Sequence, residues 1–247
     1  MNVLSDKGCN HGLCPAPRPT YTRTDRLHKI WWLWVPILIA LIQVILETTL
    51  SSDVLARLHS ESGPHEAFEF LFLLYAFIIC ILILPKLDWR TQKPLLAWVL
   101  IATVSCFYVA GEEISWGQHL LKWSTPEYWT HLNDQGETNL HNTSSWLDQK
   151  PRLILLIGVL TGGLVIPALQ RFKPGLLPQK FAIIYPPAFL GVVALFVLGV
   201  EVLGKIDDAL KNVVILERGS EVEELYLFYF VMLYMIVLRR RILQNQR

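Results

Sequence analysis

The chain has 247 residues, 53% of them hydrophobic and 17% charged, with 22 Lys and Arg against 21 Asp and Glu. Soluble domains carry about 25% charged residues, so the composition excludes an ordinary soluble globule; a formal net charge of +1 by itself says nothing about nucleic acid, and the distribution of charge says more. The apolar excess (mean hydropathy +0.38) falls in blocks of about 17 to 23 residues, the length a helix needs to cross a hydrocarbon core of ~30 Å.

Residues 1–29 read as a disordered tail bearing Lys7, Arg18, Arg23, Arg26 and Lys29, with Cys9 and Cys14 flanking His11. That trio could hold a metal, but two cysteines in a Pro-rich tail are more often plain tail. The apolar run that follows is too long for the core of a cleavable signal, and no small-residue cleavage site comes after it. It reads as a retained anchor. Six spans follow in order: Ile30 to Leu50, Glu66 to Leu84, Pro94 to Ala110, Leu153 to Leu169, Phe181 to Leu203 and Val222 to Leu238. The expected fold is therefore all-α, a polytopic membrane bundle of about six helices over residues 30–239. A long outer loop covers 111–152, and a basic tail covers 240–247.

Basic residues set the expected orientation. The N-terminal tail, the turn with Lys86, Arg90 and Lys93, the turn with Arg171, Lys173 and Lys180, and the tail with Arg239, Arg240, Arg241 and Arg247 together hold 15 of the 22 Lys and Arg. An even number of spans then places both termini in the cytoplasm, in a plasma (inner) membrane. Acidic residues show the opposite bias, since only Asp6, Asp25 and Asp88 fall on that side.

Counting about 20 residues from each basic anchor, the thickness of the core, arrives at a carboxylate in five of the six spans: Glu47, Glu66 with Glu69, Glu112 with Glu113, Glu201, and Glu221 with Glu223 and Glu224. Ionised carboxylates at that depth are costly unless paired or turned to a bundle interior. Several at one level can coexist if a cation neutralises them or some are protonated. Simple capping accounts for part of the set: Pro64 at the first helical position makes Glu66 a third-position residue, and Ser220 with Glu223 spells a capping box. Capping does not account for Glu47, Glu112, Glu113 or Glu201, which sit at helix C-termini where negative charge is unfavourable. His65 and Glu69, four residues apart, could also share a cation.

The outer loop opens with Gly111-Glu-Glu-Ile-Ser-Trp-Gly-Gln118 and later reads Glu137-Thr-Asn-Leu-His-Asn142. A continuing helix would put Glu112, Ser115 and His119 on one face, with Gly117 as the place for a break. Thr125-Pro126-Glu127 reads as the start of a short interfacial helix. Trp116, Trp123, Tyr128, Trp129 and Trp146 suit headgroup depth. The two strings resemble a bacterial multi-pass inner-membrane family to which no activity is assigned. In that family they accompany an acidic E-D-G-x-x-E before the second span and E-E-L opening the last. This chain has Glu61-Ser-Gly-Pro-His-Glu66, with Ser62 in place of the Asp, and Glu223-Glu-Leu225. The resemblance implies that Glu66, Glu112, Glu113, Gln118, Glu137, Asn139, His141, Glu223 and Glu224 form one site.

Three functions fit. In the first, Glu66, Glu113, His141, Glu223 and Glu224 bind a divalent metal cation, and Glu112, Glu113, His141, Gln118 and Asn139 supply catalytic groups. The activity would be hydrolysis of, or transfer to, a membrane lipid or lipid-linked headgroup at the outer (periplasmic) face. In the second, the carboxylates form the selectivity ring or relay of a cation- or proton-coupled transporter. In the third, the Trp-rich loop binds another envelope protein as a non-catalytic scaffold. No nucleophile elbow, phosphate loop or zinc-helix motif favours one of them.

Overall fold

The computed structural model describes residues 27–58, 63–130, 138–140, 143, 145–210 and 215–246; for 56, 119, 120 and 145–148 it describes the backbone alone. The tail cysteines with His11, and also Glu61, Ser62, His131, Glu137, His141 and Asn142, lie outside the described residues. Within them there are helices and no strand: the protein is an all-α membrane bundle. Five helices are long and apolar enough to cross a membrane: Ile30–Thr49, Pro64–Lys86, Lys93–Glu113, Gln149–Phe172 and Ala188–Leu210.

The first span begins with a wide π turn, Ile30–Trp34, and continues as α1, Val35–Thr49. Pro36 has no N–H, so the wide register leaves the Trp31 carbonyl without its helical donor. The Tyr229 hydroxyl donates to that carbonyl at 2.5 Å, and the Tyr226 hydroxyl donates to Pro36 O at 2.9 Å. A short α2, Ser52–Leu58, follows. α3, Pro64–Ile83, starts as its sequence dictates, with Gly63 extended and Pro64 in the first turn. α4, Lys93–Glu113, follows a turn tied by Asp88, whose carboxylate accepts from the Thr91 hydroxyl at 2.7 Å and the Arg90 N–H at 2.9 Å. Those two bonds hold the exposed Asp88 carboxyl below its ordinary pKa.

Beyond α4 come two single turns, α5 (Gln118–Leu121) and α6 (Glu127–Thr130). α7, Ser145–Leu160, runs through a second π turn, Thr161–Val165, into α8, Ile166–Phe172. The fifth span begins later than the apolar run from Phe181 suggests. Residues Gln179–Ile184 form tighter 3-10 turns, Pro186 and Pro187 withhold two donors, and α9 runs Gly191–Leu210.

α10, Gly219–Gln244, is the central post. Its 26 residues cover about 39 Å, although carboxylates at one end and arginines at the other lower its hydropathy. From Leu225 to Phe230 every residue is buried, as expected of a helix that is apolar all round. It packs along α3 and α9, and α3 packs in turn on α4. α3 and α10 run parallel. Their N-terminal turns meet at the carboxylate end, and at the other end the Gln246 side-chain amide donates to the Lys86 carbonyl. Near that end the Tyr234 hydroxyl donates to Ile184 O and accepts from the Trp98 indole, both at 2.8 Å. Arg241 binds the carbonyls of Ile183 and Tyr185.

Candidate functional site

The carboxylates at one end of the bundle divide into groups with different partners. Glu47, at the end of α1, accepts from the Gln43 amide at 2.8 Å and the Glu217 N–H at 3.1 Å, so it ties α1 to the lead-in of α10. Asp207 accepts from the N–H groups of Ile215 and Leu216 at 2.9 and 3.0 Å. Glu201 pairs with Lys205 one turn on, at 2.7 Å.

Glu112 is 3% exposed. One oxygen accepts from the Trp116 indole N–H at 2.7 Å and the other from the Leu140 N–H at 2.6 Å. The helix expected to run on to His119 stops at Glu113, and Ser115, Trp116 and Gly117 take positive φ of 45°, 54° and 91°. Left-handed backbone costs about 1–2 kcal/mol for each non-glycine residue, so a dense set of bonds must hold this turn. Asn139 donates to the Ser115 hydroxyl at 3.0 Å. The Gln118 carbonyl oxygen accepts from the N–H and hydroxyl of Thr138 at 2.8 and 2.7 Å, and its amide donates to Thr125 at 2.7 Å. The Trp116 ring folds back over Gly111, where a Cβ would lie 2.8 Å from it. The two loop strings thus form one clasp, and it brings Glu112, Gln118 and Asn139 together with their polar atoms engaged in it.

A different set forms a nest between α3, α4 and α10. Ligand oxygens of Glu69, Glu221 and Glu224 all lie within 4.8 Å of one another. Glu69 has 0% exposure, and neither of its carboxylate oxygens has a hydrogen-bond partner. The groups whose charge it feels are Glu113, Glu224, Glu221 and Glu66, all carboxyls. Glu113, at the end of α4, faces the same carboxylates from the third helix. The arrangement follows from helical spacing: Glu66 with Glu69 and Glu221 with Glu224 are pairs three residues apart, each on one face, and parallel α3 and α10 turn those faces together.

Of the metal ligands expected from sequence, the nest therefore gathers Glu66, Glu113 and Glu224. Glu223, rotated about 100° from Glu224, faces α9 instead. It is 5% exposed, one of its buried oxygens has no hydrogen-bond partner, and its charged neighbours are Glu201, Arg152 and Lys205. The sequence pairs Glu69 only with His65, leaves Glu221 out of the metal set and gives no sign of Arg152 of α7. The Arg152 guanidinium sits 3.2 Å from Glu224. The capping box expected at Ser220 does not form: Ser220 is inside the helix, which begins after a left-handed Arg218.

At 4.8 Å two like charges repel by about 3 kcal/mol at an effective dielectric near 20. Three ionised carboxylates would then cost an amount comparable to the whole stability of a domain, about 5–15 kcal/mol. The N-terminal dipoles of α3 and α10 offset part of that, and Arg152 offsets part at Glu224. Neither oxygen of Glu69 has a hydrogen-bond partner to offset its share. An all-oxygen set of this kind suits a hard cation such as Mg²⁺, Mn²⁺ or Ca²⁺ better than zinc, which favours nitrogen and sulfur. Compared with protein-family models, with curated proteins and with solved structures, the chain matches none.

Proposed function

We propose that this protein holds a divalent cation in the nest of Glu69, Glu221 and Glu224, with Glu66 and Glu113 at its edge. It would use that cation on a lipid or lipid-linked headgroup, as a hydrolase or transferase at the outer face of the inner membrane. The observation that carries the reading is Glu69, a fully buried carboxylate with no hydrogen-bond donor, aimed at two others. A cation there would polarise a phosphoryl or carbonyl oxygen, or make a bound water acidic enough to attack near neutral pH. In this reading Glu113 and His141 are the candidates for moving protons, and the clasp of Glu112, Gln118 and Asn139 fixes the end of α4 from which Glu113 projects.

Chemistry at the nest is favoured over passage through the bundle by what lies along α3 beyond Glu69. The buried side of the helix continues as Leu73, Ala76, Ile79, Cys80 and Ile83, which offers no carboxylate, histidine or amide to hand an ion or proton onward. The test is metal analysis of purified protein, followed by titration of Mn²⁺ into metal-free protein and turnover assays on bacterial phospholipids and lipid-linked sugars. Stoichiometric Mn²⁺ that disappears in Glu69→Gln, together with turnover that disappears in the same variant, is the expected result. Full Mn²⁺ binding by Glu69→Gln would remove the nest as the site. Binding without turnover of any lipid, with cation flux in reconstituted vesicles, would replace the enzyme by a transporter.

A further inference from the structure

Arg152 stands between two carboxylates that differ in what they already hold. Its guanidinium is 3.2 Å from Glu224, and the two side chains are 26% and 18% exposed. The neighbouring residue on α10, Glu223, also feels the charge of Arg152. Glu223 keeps a buried oxygen without a hydrogen-bond partner. On the far side of Glu223 the charges of Glu201 and Lys205 are already paired at 2.7 Å. Glu224 therefore belongs to two systems: it is a ligand of the nest and the acceptor of Arg152.

We infer that Arg152 is the selectivity residue of the nest, a resident cation that holds Glu224 until a divalent ion takes it and that then turns to the waiting oxygen of Glu223. The inference rests on reading the nest as a cation site. The acidic cluster is more than a collection of surface carboxylates because Glu69, with 0% exposure and both oxygens without a partner, points into it. A guanidinium cannot be deprotonated, so it competes at every physiological pH. A monovalent ion brings the same single charge as Arg152 and gains nothing by replacing it. A divalent ion brings twice the charge to three carboxylates, and the displaced guanidinium keeps a partner one residue away on the same helix. Without Glu223 the displacement would leave a half-buried cation beside no acceptor on α10, at a cost charged against ion binding.

The experiment is Mn²⁺ titration of metal-free full-length protein in detergent, with and without excess Na⁺, for wild type, Arg152→Ala, Arg152→Gln, Glu223→Gln and Glu69→Gln. Both Arg152 variants are expected to bind Mn²⁺ tighter by roughly five-fold, the effect of removing a partly exposed competing ion pair, and to become sensitive to Na⁺. Glu223→Gln is expected to bind more weakly than wild type, and Glu69→Gln not at all. If Arg152→Ala and Arg152→Gln bind Mn²⁺ as wild type does, or more weakly, while Glu69→Gln has lost it, the role of Arg152 is overturned and the cation site stands. If Glu69→Gln binds as wild type, or wild type binds no Mn²⁺, the site itself falls and the role of Arg152 with it.

Discussion

Glu112 and Glu113 are adjacent in sequence and separate in duty, because consecutive helical residues point about 100° apart. Glu112 turns to the loop and accepts two N–H groups; Glu113 turns to the nest. In Glu112→Gln one of the two donors meets an NH₂ group instead of an oxygen. The cost is about 1–3 kcal/mol, and it falls on the clasp, so the Leu140 amide should exchange with solvent faster while the spans stay protected. Unchanged exchange at Leu140 would contradict the clasp. Glu69 predicts the opposite sign. A buried carboxylate with no donor among other carboxylates opposes folding, so Glu69→Gln should raise the thermal stability of metal-free protein by up to about 3 kcal/mol, the repulsion it removes, and abolish any stabilisation by added divalent cation. A Glu69→Gln variant less stable than wild type in chelator would mean that the charge has a partner holding it in place.

Helices set which of these residues can meet. α10 serves as the post because its apolar residues surround it, and its tyrosines supply hydroxyls where neighbouring helices leave carbonyls unsatisfied. Tyr229→Phe removes the donor that compensates for Pro36 at Trp31 O; the expected loss is about 1 kcal/mol, read as faster exchange confined to α1. The contact of the Thr161–Val165 turn with α9 is closer still. A Cβ at Gly163 would stand 2.5 Å from the Ala194 Cβ and 3.0 Å from Phe230. Gly163→Ala should lower stability by about 1–3 kcal/mol, and adding Ala194→Gly should restore much of it, which a double-mutant cycle measures. At this scale the sequence was readable in one coordinate only. The depth of Glu66, Glu69, Glu113, Glu221 and Glu224 could be counted from the basic anchors, because rise per residue is fixed. Their direction could not, since the rotation of a helix about its axis is set by the partners it packs on. Hence the sequence groups Glu223 with Glu224, which it turns away from, pairs Glu69 only with His65, and leaves Glu221 out of the metal set. Arg152 gave no signal, being one basic residue in a long loop. The start of α9 was misplaced for a local reason, the two prolines that hold the chain in turns before the helix.

The whole molecule has chemically unlike ends. One carries the nest and the clasp. The other carries the Asp88 turn, Arg241 and the meeting of Gln246 with Lys86. Lys and Arg flanking spans are retained on the cytoplasmic side during insertion, whereas Asp and Glu have little say, so the basic end should face the cytoplasm. Single-cysteine labelling tests it. Cys80 and Cys106 are buried, so replacing Cys9 and Cys14 with Ser leaves a background without accessible thiols among the described residues. Ser124 is exposed beside the clasp, and Gly175 is exposed in the α8–α9 turn with open space around it. A membrane-impermeant maleimide applied to intact spheroplasts should modify Ser124→Cys at once, and Gly175→Cys only after lysis. The reverse pattern would invert the protein and move the nest to the cytoplasmic leaflet, where a different pool of headgroups would meet it. Labelling of both positions in intact cells would put them on one side and remove a span between them. α7 continuing into α8 would then have to lie along the membrane instead of crossing it beside α9 and α10.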